Sequence, residues 1–338
     1  MRLTCRVVDS IRELDEERWD ALANGELMMS HRWQRVMEAS RTAYRPRYLL
    51  AEDDHGPLIG AVADASQTFG RSGWQELLLR RMALLVGAPF SSRHCGLSVR
   101  AGTTLDQLDR PLAELSWQVR RPLLGITNLR DDQLAAWRAL GFTARPQPVS
   151  MLLDLQAPSY EAYLASLTRK FRKELVRTRR RAAENGVTFR QGVLTGGEAD
   201  LYPLLAEVCA HHGWMPFTPA LFARLASEMP GEVIVISGAV GGQTAGFLLC
   251  LRQGPLLLSI LAGLRYALAH PTSLYSLLFD ELVRWSLQHG VQRIYAGLSN
   301  EIQKQRHGFR PQSRWLCVRA YPGPVNTLVG LLSRQSIA

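Results

Sequence analysis

The chain has 338 residues, of which 46% are hydrophobic and 21% charged, with a formal net charge of +10. That length holds one large domain or two ordinary ones, and the composition excludes a disordered, collagen-like or disulfide-stapled chain. The apolar run at 256–264 is too short to span a bilayer, which needs about 20 residues. The N-terminus is acidic in its first turns and has no apolar signal core, so a cytoplasmic protein is expected.

The five cysteines (Cys5, Cys95, Cys209, Cys250, Cys317) are odd in number and show no C-x-x-C spacing. Free thiols are expected, with neither a disulfide frame nor a zinc site. His211 and His212 are neighbours and point to different faces of a helix, so no metal site is expected there. The charge is local. Residues 1–150 hold 20 basic and 18 acidic side chains, while residues 151–338 hold 20 and 12. Most of that excess lies between Arg169 and Arg181, where eight basic residues face one acid, Glu174. This argues for a local anionic partner and against a general polyanion coat.

In chain order, CRVVDSI reads as a strand, and ELDEERWDALAN as a helix capped near Asp15. HRWQRVMEASRT is a helix, and residues 46–65 form a hairpin turning at Asp54-His55-Gly56. A helix over 106–121, a strand LLGITNL, a helix ending at Gly141 and a strand VSMLLDL complete the first half. The second half opens with one long helix from about Ser159 to Asn185, stopped by Gly186. VTFRQG is a strand, and the segments at 199–213 and 218–229 are helices. EVIVISGAV, GQTAGFLLCLR and PLLLSILAGL form a meander turning at Gly241-Gly242 and Gln253-Gly254. An amphipathic helix closed by Gly290 and the strand VQRIYAGL follow. The two halves repeat one order of elements, with the junction near Leu155–Ser159.

On the long helix, Leu164, Leu167, Phe171, Leu175 and Ala182 fall on one narrow arc, and the basic residues cover the opposite side. Such crowding of like charge repels at i,i+4 spacing unless anions or packing offset it. Three readings stay open: a solvated face, an RNA-binding face, and a site for phosphates of a smaller substrate. Aromatic residues for base stacking are not interleaved with the charges. Only three of the 40 basic residues are lysines: Lys170, Lys173 and Lys304. In so arginine-rich a chain, a retained lysine suggests a need for a compact ammonium in place of a planar fork. Lys304 is expected in a loop after the last clear strand, where α/β domains commonly carry chemistry.

At these residues the chain resembles a known family. Residues 151–189, from the strand ending Asp154-Leu155 into the basic helix, resemble the segment that opens the second domain of FemAB-like proteins of the GNAT acyltransferase superfamily. Leu167, Thr168, Lys170, Arg172, Leu175 and Arg177 occupy the matching slots. Gly297, Lys304, Gly308 and Phe309 match the family's late strand, lysine and Gly-Phe pair in order and spacing. The resemblance covers residues 145–315 well and the first half by architecture alone.

The resemblance implies an α/β (α+β) fold of two tandem GNAT-like domains, each a mixed, mainly antiparallel sheet flanked by helices. The expected division is 1–155 and 156–338. It implies transfer of an acyl or aminoacyl group to an amine, with Lys304 neutralising a tetrahedral oxyanion and Glu301 orienting that ammonium or accepting a proton. Lys170, Arg172, Lys173, Trp214, Tyr266, Tyr275, Gly297 and Gly308 are the candidate substrate-binding residues. Tyr295 stands where many relatives carry an aspartate, which weakens any role borrowed for that strand. The loop HHGWMPF is a candidate acceptor wall, with capping of a core as the other reading of Trp214 and Phe217.

GNAT enzymes typically hold the CoA pyrophosphate on backbone N–H groups of a Q/R-x-x-G-x-G/A turn at a helix N-terminus. Here that place reads RYALAHPTS. Arg265 fits the first slot, but Leu268 and His270 replace the small residues, so CoA held in the usual way is disfavoured. No tightly bound cofactor is implied; the acyl donor, aminoacyl-tRNA or acyl-CoA, enters as a co-substrate. An anionic or phosphorylated substrate, tRNA included, is the expected partner of the basic helix. The reading from another class is a non-catalytic RNA- or precursor-binding protein that retains the fold. The tail NTLVGLLSRQSIA reads as a docking helix or a frayed end.

Overall fold

The computed structural model describes residues 3–66, 81–91, 93–214 and 217–321; the tail at 326–338 and Met215-Pro216 lie outside them. The strands are β1 (Thr4–Val8), β2 (Pro46–Asp53), β3 (Gly56–Asp64), β4 (Ala83–Val86), β5 (Leu97–Val99) and β6 (Leu123–Leu129). There follow β7 (Thr143–Asp154), β8 (Val187–Val193), β9 (Val233–Val240), β10 (Gln243–Gln253), β11 (Leu256–Leu264), β12 (Arg293–Tyr295) and β13 (Arg310–Ala320). The chain divides into two compact units. The first comprises Met1–Glu38, Ala43–Pro148 and Ser313–Ala338, and the second Ala39–Thr42 and Val149–Gln312.

The first unit is a mixed sheet in which β2 pairs antiparallel with β1 and β3, and β4 runs parallel to β6. Residues of β13 from Trp315 onward pair antiparallel with β6. The expected 46–65 hairpin forms, with Asp53 opposite Gly56 and Gly56 at φ 99° closing the turn. The helix Glu16–Ala23 starts at Asp15, whose carboxylate accepts from the Arg18 N–H at 2.9 Å. A side chain that satisfies a first-turn donor in this way fixes where a helix begins. The strands β4, β5 and β13 were not anticipated from sequence.

The second unit repeats the plan. β8, β9, β10 and β11 form an antiparallel meander, β11 runs parallel to β12, and β12 pairs antiparallel with β7. Its core joins Phe171, Leu175 and Ala182 of the basic helix to Leu278, Phe279 and Leu282 of helix Leu274–Gln288 and to Ile234, Ile236 and Leu248 of the sheet. Each unit is thus a mainly antiparallel sheet flanked by helices, as expected.

Two expectations fail here for local reasons. The single helix over 159–185 is two, Tyr160–Ser166 and Arg169–Glu184. Ser166 donates its hydroxyl to the Tyr163 carbonyl at 2.7 Å, and Thr168 accepts from the Phe171 N–H at 3.3 Å. These side chains offer the backbone partners that compete with a continuous helix, and Leu167 between them is extended, at ψ 156°. The strand expected over 291–298 shrinks to three residues because Gly297 turns the chain away at φ 66°.

Candidate active site

The second unit places its chemistry where β11 and β12 part. They pair only at Leu256–Arg293, Leu257–Ile294 and Leu258–Tyr295. Beyond that point β11 runs on to Leu264 beside β10, while the chain after β12 follows Met151, which donates to the Gly297 carbonyl at 3.2 Å. A β-carbon built on Gly297 would lie 3.9 Å from the Ser259 carbonyl oxygen, so the loop after β12 stays close to β11 where they diverge.

Lys304 lies beside this opening, but not in a loop. It sits on the short helix Glu301–Arg306 and is 2% exposed. The helix forms because Asn300 takes the left-handed conformation at φ 57°, which Asn tolerates, and its carbonyl accepts from the Lys304 N–H at 3.3 Å. The Lys304 Nζ donates to the Ser299 carbonyl and lies 6.0 Å from the centre of the Phe279 ring. Burial pulls its pKa down to about 8, partly opposed by the nearby Glu301 carboxylate. An ammonium has three donors. Among the described residues Ser299 is the partner of one, which leaves two for a substrate. Glu301 is exposed on the first turn of the same helix and makes no contact with the Nζ beyond this electrostatic one.

Behind Lys304 lies a buried polar set that sequence reasoning missed. His307 is fully buried, with Nε2 3.0 Å from the Ser276 hydroxyl and Nδ1 3.4 Å from the Tyr163 hydroxyl. Burial first, and the Arg306 charge second, pull its pKa down to about 3, so it is neutral. Tyr163 also donates to the His307 carbonyl at 3.1 Å, and Phe171 meets the ring edge-to-face at 4.8 Å. The His307-Gly308-Phe309 run closes the short helix, with Gly308 at φ 85°. A histidine next to the Gly-Phe pair was the available signal. Tyr275 is half-buried against Phe279, ring centres 5.1 Å apart; burial, then the neighbouring Tyr266, raises its pKa.

A second group gathers at the C-terminal end of β11. Tyr266 follows it in the turn Tyr266–Ala269 and meets His211 at 4.6 Å and His270 at 5.3 Å. His212 stacks on Trp214 at 4.9 Å. Trp214 is exposed, whereas Phe217 is buried. Four backbone donors of the turn are occupied. Glu207 accepts from the Tyr266 N–H at 2.9 Å, the Arg265 carbonyl from Leu268 and Ala269, and the Tyr266 carbonyl from His270.

The basic helix departs from the expected all-exposed back. Arg179 turns inward to pair with Asp280 and Glu281, both buried, and Tyr160 donates to Asp280 at 2.7 Å. Burial raises the Asp280 pKa against the opposing pull of Arg179. Arg172 donates to the Leu164 and Ala165 carbonyls. Glu174, the helix's own acid, pairs with Arg306. Arg169, Lys170, Lys173, Arg177, Arg180 and Arg181 remain exposed, with Arg180 3.5 Å from Glu184. Elsewhere a cavity of about 330 Å³ over β8 and β9, lined by Arg190, Asp200, Ser237 and Thr244 among others, contains none of the anticipated residues. All five cysteines are free, and the described residues contain no cluster of three or more potential metal ligands. No helix among them is long and apolar enough to cross a membrane.

Residues 169–305 match the family model described as an acetyltransferase (GNAT) domain. No curated protein matches the sequence. The fold is similar to the crystal structure of FemX, with TM-score 0.62 and 11% identity over 96% of this chain and 99% of that one. It is similar to the C-terminal domain of a provisionally named lysylphosphatidylglycerol synthetase from Agrobacterium fabrum, with TM-score 0.59 and 14% identity over 95% and 96% of the two chains. A tandem GNAT protein from the clavulanic acid biosynthesis pathway matches with TM-score 0.55 and 13% identity over 94% and 98%. Residues 169–305 thus match a GNAT domain, and the whole chain shares the fold of these tandem structures.

Proposed function

We propose that this chain of tandem GNAT fold is an N-acyltransferase that moves an acyl or aminoacyl group from an activated donor to an amine. The observation that carries this reading is the buried ammonium of Lys304, bonded to the Ser299 carbonyl in the loop that follows β12. Attack by a neutral amine on an ester or thioester carbonyl forms a tetrahedral intermediate whose oxygen gains negative charge. A preorganised cation in a dry site stabilises that oxygen far better than the same cation in water. With a pKa of about 8, Lys304 is mostly charged at neutral pH and fit for this task. Neutral His307, locked by Ser276 and Tyr163, fixes the end of the lysine helix.

The turn after β11 supports a choice of donor. The N–H groups of Tyr266, Leu268, Ala269 and His270 are taken by Glu207 and by the turn's own carbonyls, so a pyrophosphate finds fewer free donors and meets a carboxylate. This favours an aminoacyl-tRNA ester over acyl-CoA. The six exposed cations of the basic helix suit a phosphate-bearing substrate, tRNA included. The test is thermal stability of the full chain with acetyl-CoA and, separately, with charged tRNA. A ligand at about 100 times its Kd stabilises the fold by about 2.7 kcal/mol. The reading predicts a rise with charged tRNA. A rise with acetyl-CoA alone overturns the donor, and a rise with uncharged tRNA equal to that with charged tRNA favours a binding protein without transfer.

A further inference from the structure

The rings at the end of β11 are arranged in a way that their own packing does not explain. Trp214 is 48% exposed and lies nearly parallel to His212, with 23° between the ring planes. The Tyr266 hydroxyl is 3.4 Å from His212 Nε2, and His211 and His270 flank the Tyr266 ring. His211, His212 and His270 are all exposed. A tryptophan placed only for packing buries its faces. Here it is propped on an imidazole at the surface, next to further rings. Exposed, preorganised π-faces of this kind stack on flat heterocycles and tolerate any base.

The position narrows the ligand. Tyr266 and His270 belong to the turn that follows β11, where Glu207 holds the Tyr266 N–H and the turn's own carbonyls hold those of Leu268, Ala269 and His270. A donor held here needs another grip. Tyr266 is near enough to act electrostatically on Tyr275, which meets Phe279 at 5.1 Å, and the Lys304 ammonium stands over the Phe279 ring at 6.0 Å. The exposed rings offer π-faces at the surface, and Phe279 lies beside the group assigned to the oxyanion. Both classes of activated acyl donor, the ester of a tRNA 3′ end and the thioester of CoA, carry an adenosine nucleotide. We propose that Trp214, His212 and Tyr266 form a stacking platform for the adenine base of the acyl donor, replacing the backbone grip on a pyrophosphate. This rests on the acyltransferase reading, and it adds the part of the donor that is recognised and the residues that recognise it.

The experiment measures binding of two unreactive probes, the trinucleotide CCA and desulfo-coenzyme A, to the full chain by calorimetry. Wild type is compared with Trp214→Ala, Trp214→Phe and Tyr266→Leu. Loss of one stacked base weakens binding by roughly 5- to 150-fold. That loss is expected in Trp214→Ala and Tyr266→Leu, with an unchanged melting temperature for the exposed Trp214 site, and Trp214→Phe restores most of it. Binding of CCA alone identifies a nucleic-acid donor, and binding of desulfo-coenzyme A alone a CoA donor. Neither probe binding wild type, or Trp214→Ala binding as tightly as wild type, overturns the platform. An acyl-transfer assay separates the two readings. Transfer with an unchanged donor KM in Trp214→Ala removes the platform and leaves the enzyme. Trp214-dependent binding without transfer from any donor removes the enzyme and leaves the platform.

Discussion

Arg179, on the most basic helix of the chain, points into the protein and pairs with Asp280, which is fully buried in the apolar-looking helix Leu274–Gln288. The same guanidinium reaches Glu281, which also accepts from Gln191. The charge of the basic helix is thus relieved by two acids a hundred residues away. Removing Arg179 leaves Asp280 with Tyr160 and the more distant Arg284, at 3.7 Å, and Glu281 with Gln191. Losing the principal partner of buried charges costs about 3 kcal/mol, whereas exposed side chains cost about 0.5 or less. Arg179→Ala is therefore expected to lose several kcal/mol in urea unfolding, and Arg180→Ala almost nothing. Equal midpoints for the two variants contradict this account.

Lys304 carries a pH signature in stability. Its folded pKa of about 8 lies below the ordinary 10.5, so the unfolded chain binds more protons between those values. Stability from this group therefore rises as pH climbs from about 8 to about 10.5. Below about 8 the buried charge costs the fold a constant amount, about 3 kcal/mol. Lys304→Met removes the charge and keeps the shape. Its melting temperature is expected to exceed wild type at pH 7, with the gap closing towards pH 10.5. A gap that is absent at pH 7, or that widens with pH, contradicts the burial of a charged lysine.

The exposed cations of the basic helix predict salt dependence. If they meet nucleic-acid phosphates, log Kd varies linearly with log salt, with a slope set by the phosphates neutralised. Replacing Lys170 and Lys173 together by Gln is expected to flatten that slope for tRNA by about 1.5. An unchanged slope places the phosphates elsewhere.

Ser273 precedes the helix Leu274–Gln288 in the left-handed conformation, φ 54°, and its side chain makes no capping bond. A β-carbon there is strained by about 1 kcal/mol, which glycine avoids. Ser273→Gly is expected to keep or slightly raise the melting temperature and to leave transfer intact. A marked loss of stability would show that the hydroxyl does structural work.

Much of the fold was legible in the sequence. Phe171, Leu175 and Ala182 are the buried seam of the basic helix, as their 3.6-residue spacing implies, and the Asp54–Gly56 and Gly241-Gly242 turns fall where glycine permits them. Legibility ended where a partner is distant in sequence. Arg179 flanks the seam, and only the Asp280-Glu281 pair, odd in the run LLFDELVRW, hinted that a cation must come inward. The break at Leu167 was hidden because Ser166 and Thr168 act through bonds that a periodicity does not register. Lys304 was singled out by its rarity and its motif, but its burial was not foreseen, since that needs Phe279 from another element. The partners Ser276, Tyr163 and His307 are brought together only by the fold.

The measurement that tests the central claim most directly is acyl transfer to an amine by wild type, Lys304→Ala and Lys304→Arg, with folding checked by circular dichroism. Removing one oxyanion-stabilising group lowers kcat by about 100- to 1,000-fold. We expect that loss in Lys304→Ala, and little rescue by Arg, whose planar fork does not fit the place of a compact buried ammonium. Transfer at the wild-type rate by folded Lys304→Ala would contradict the assignment of this site.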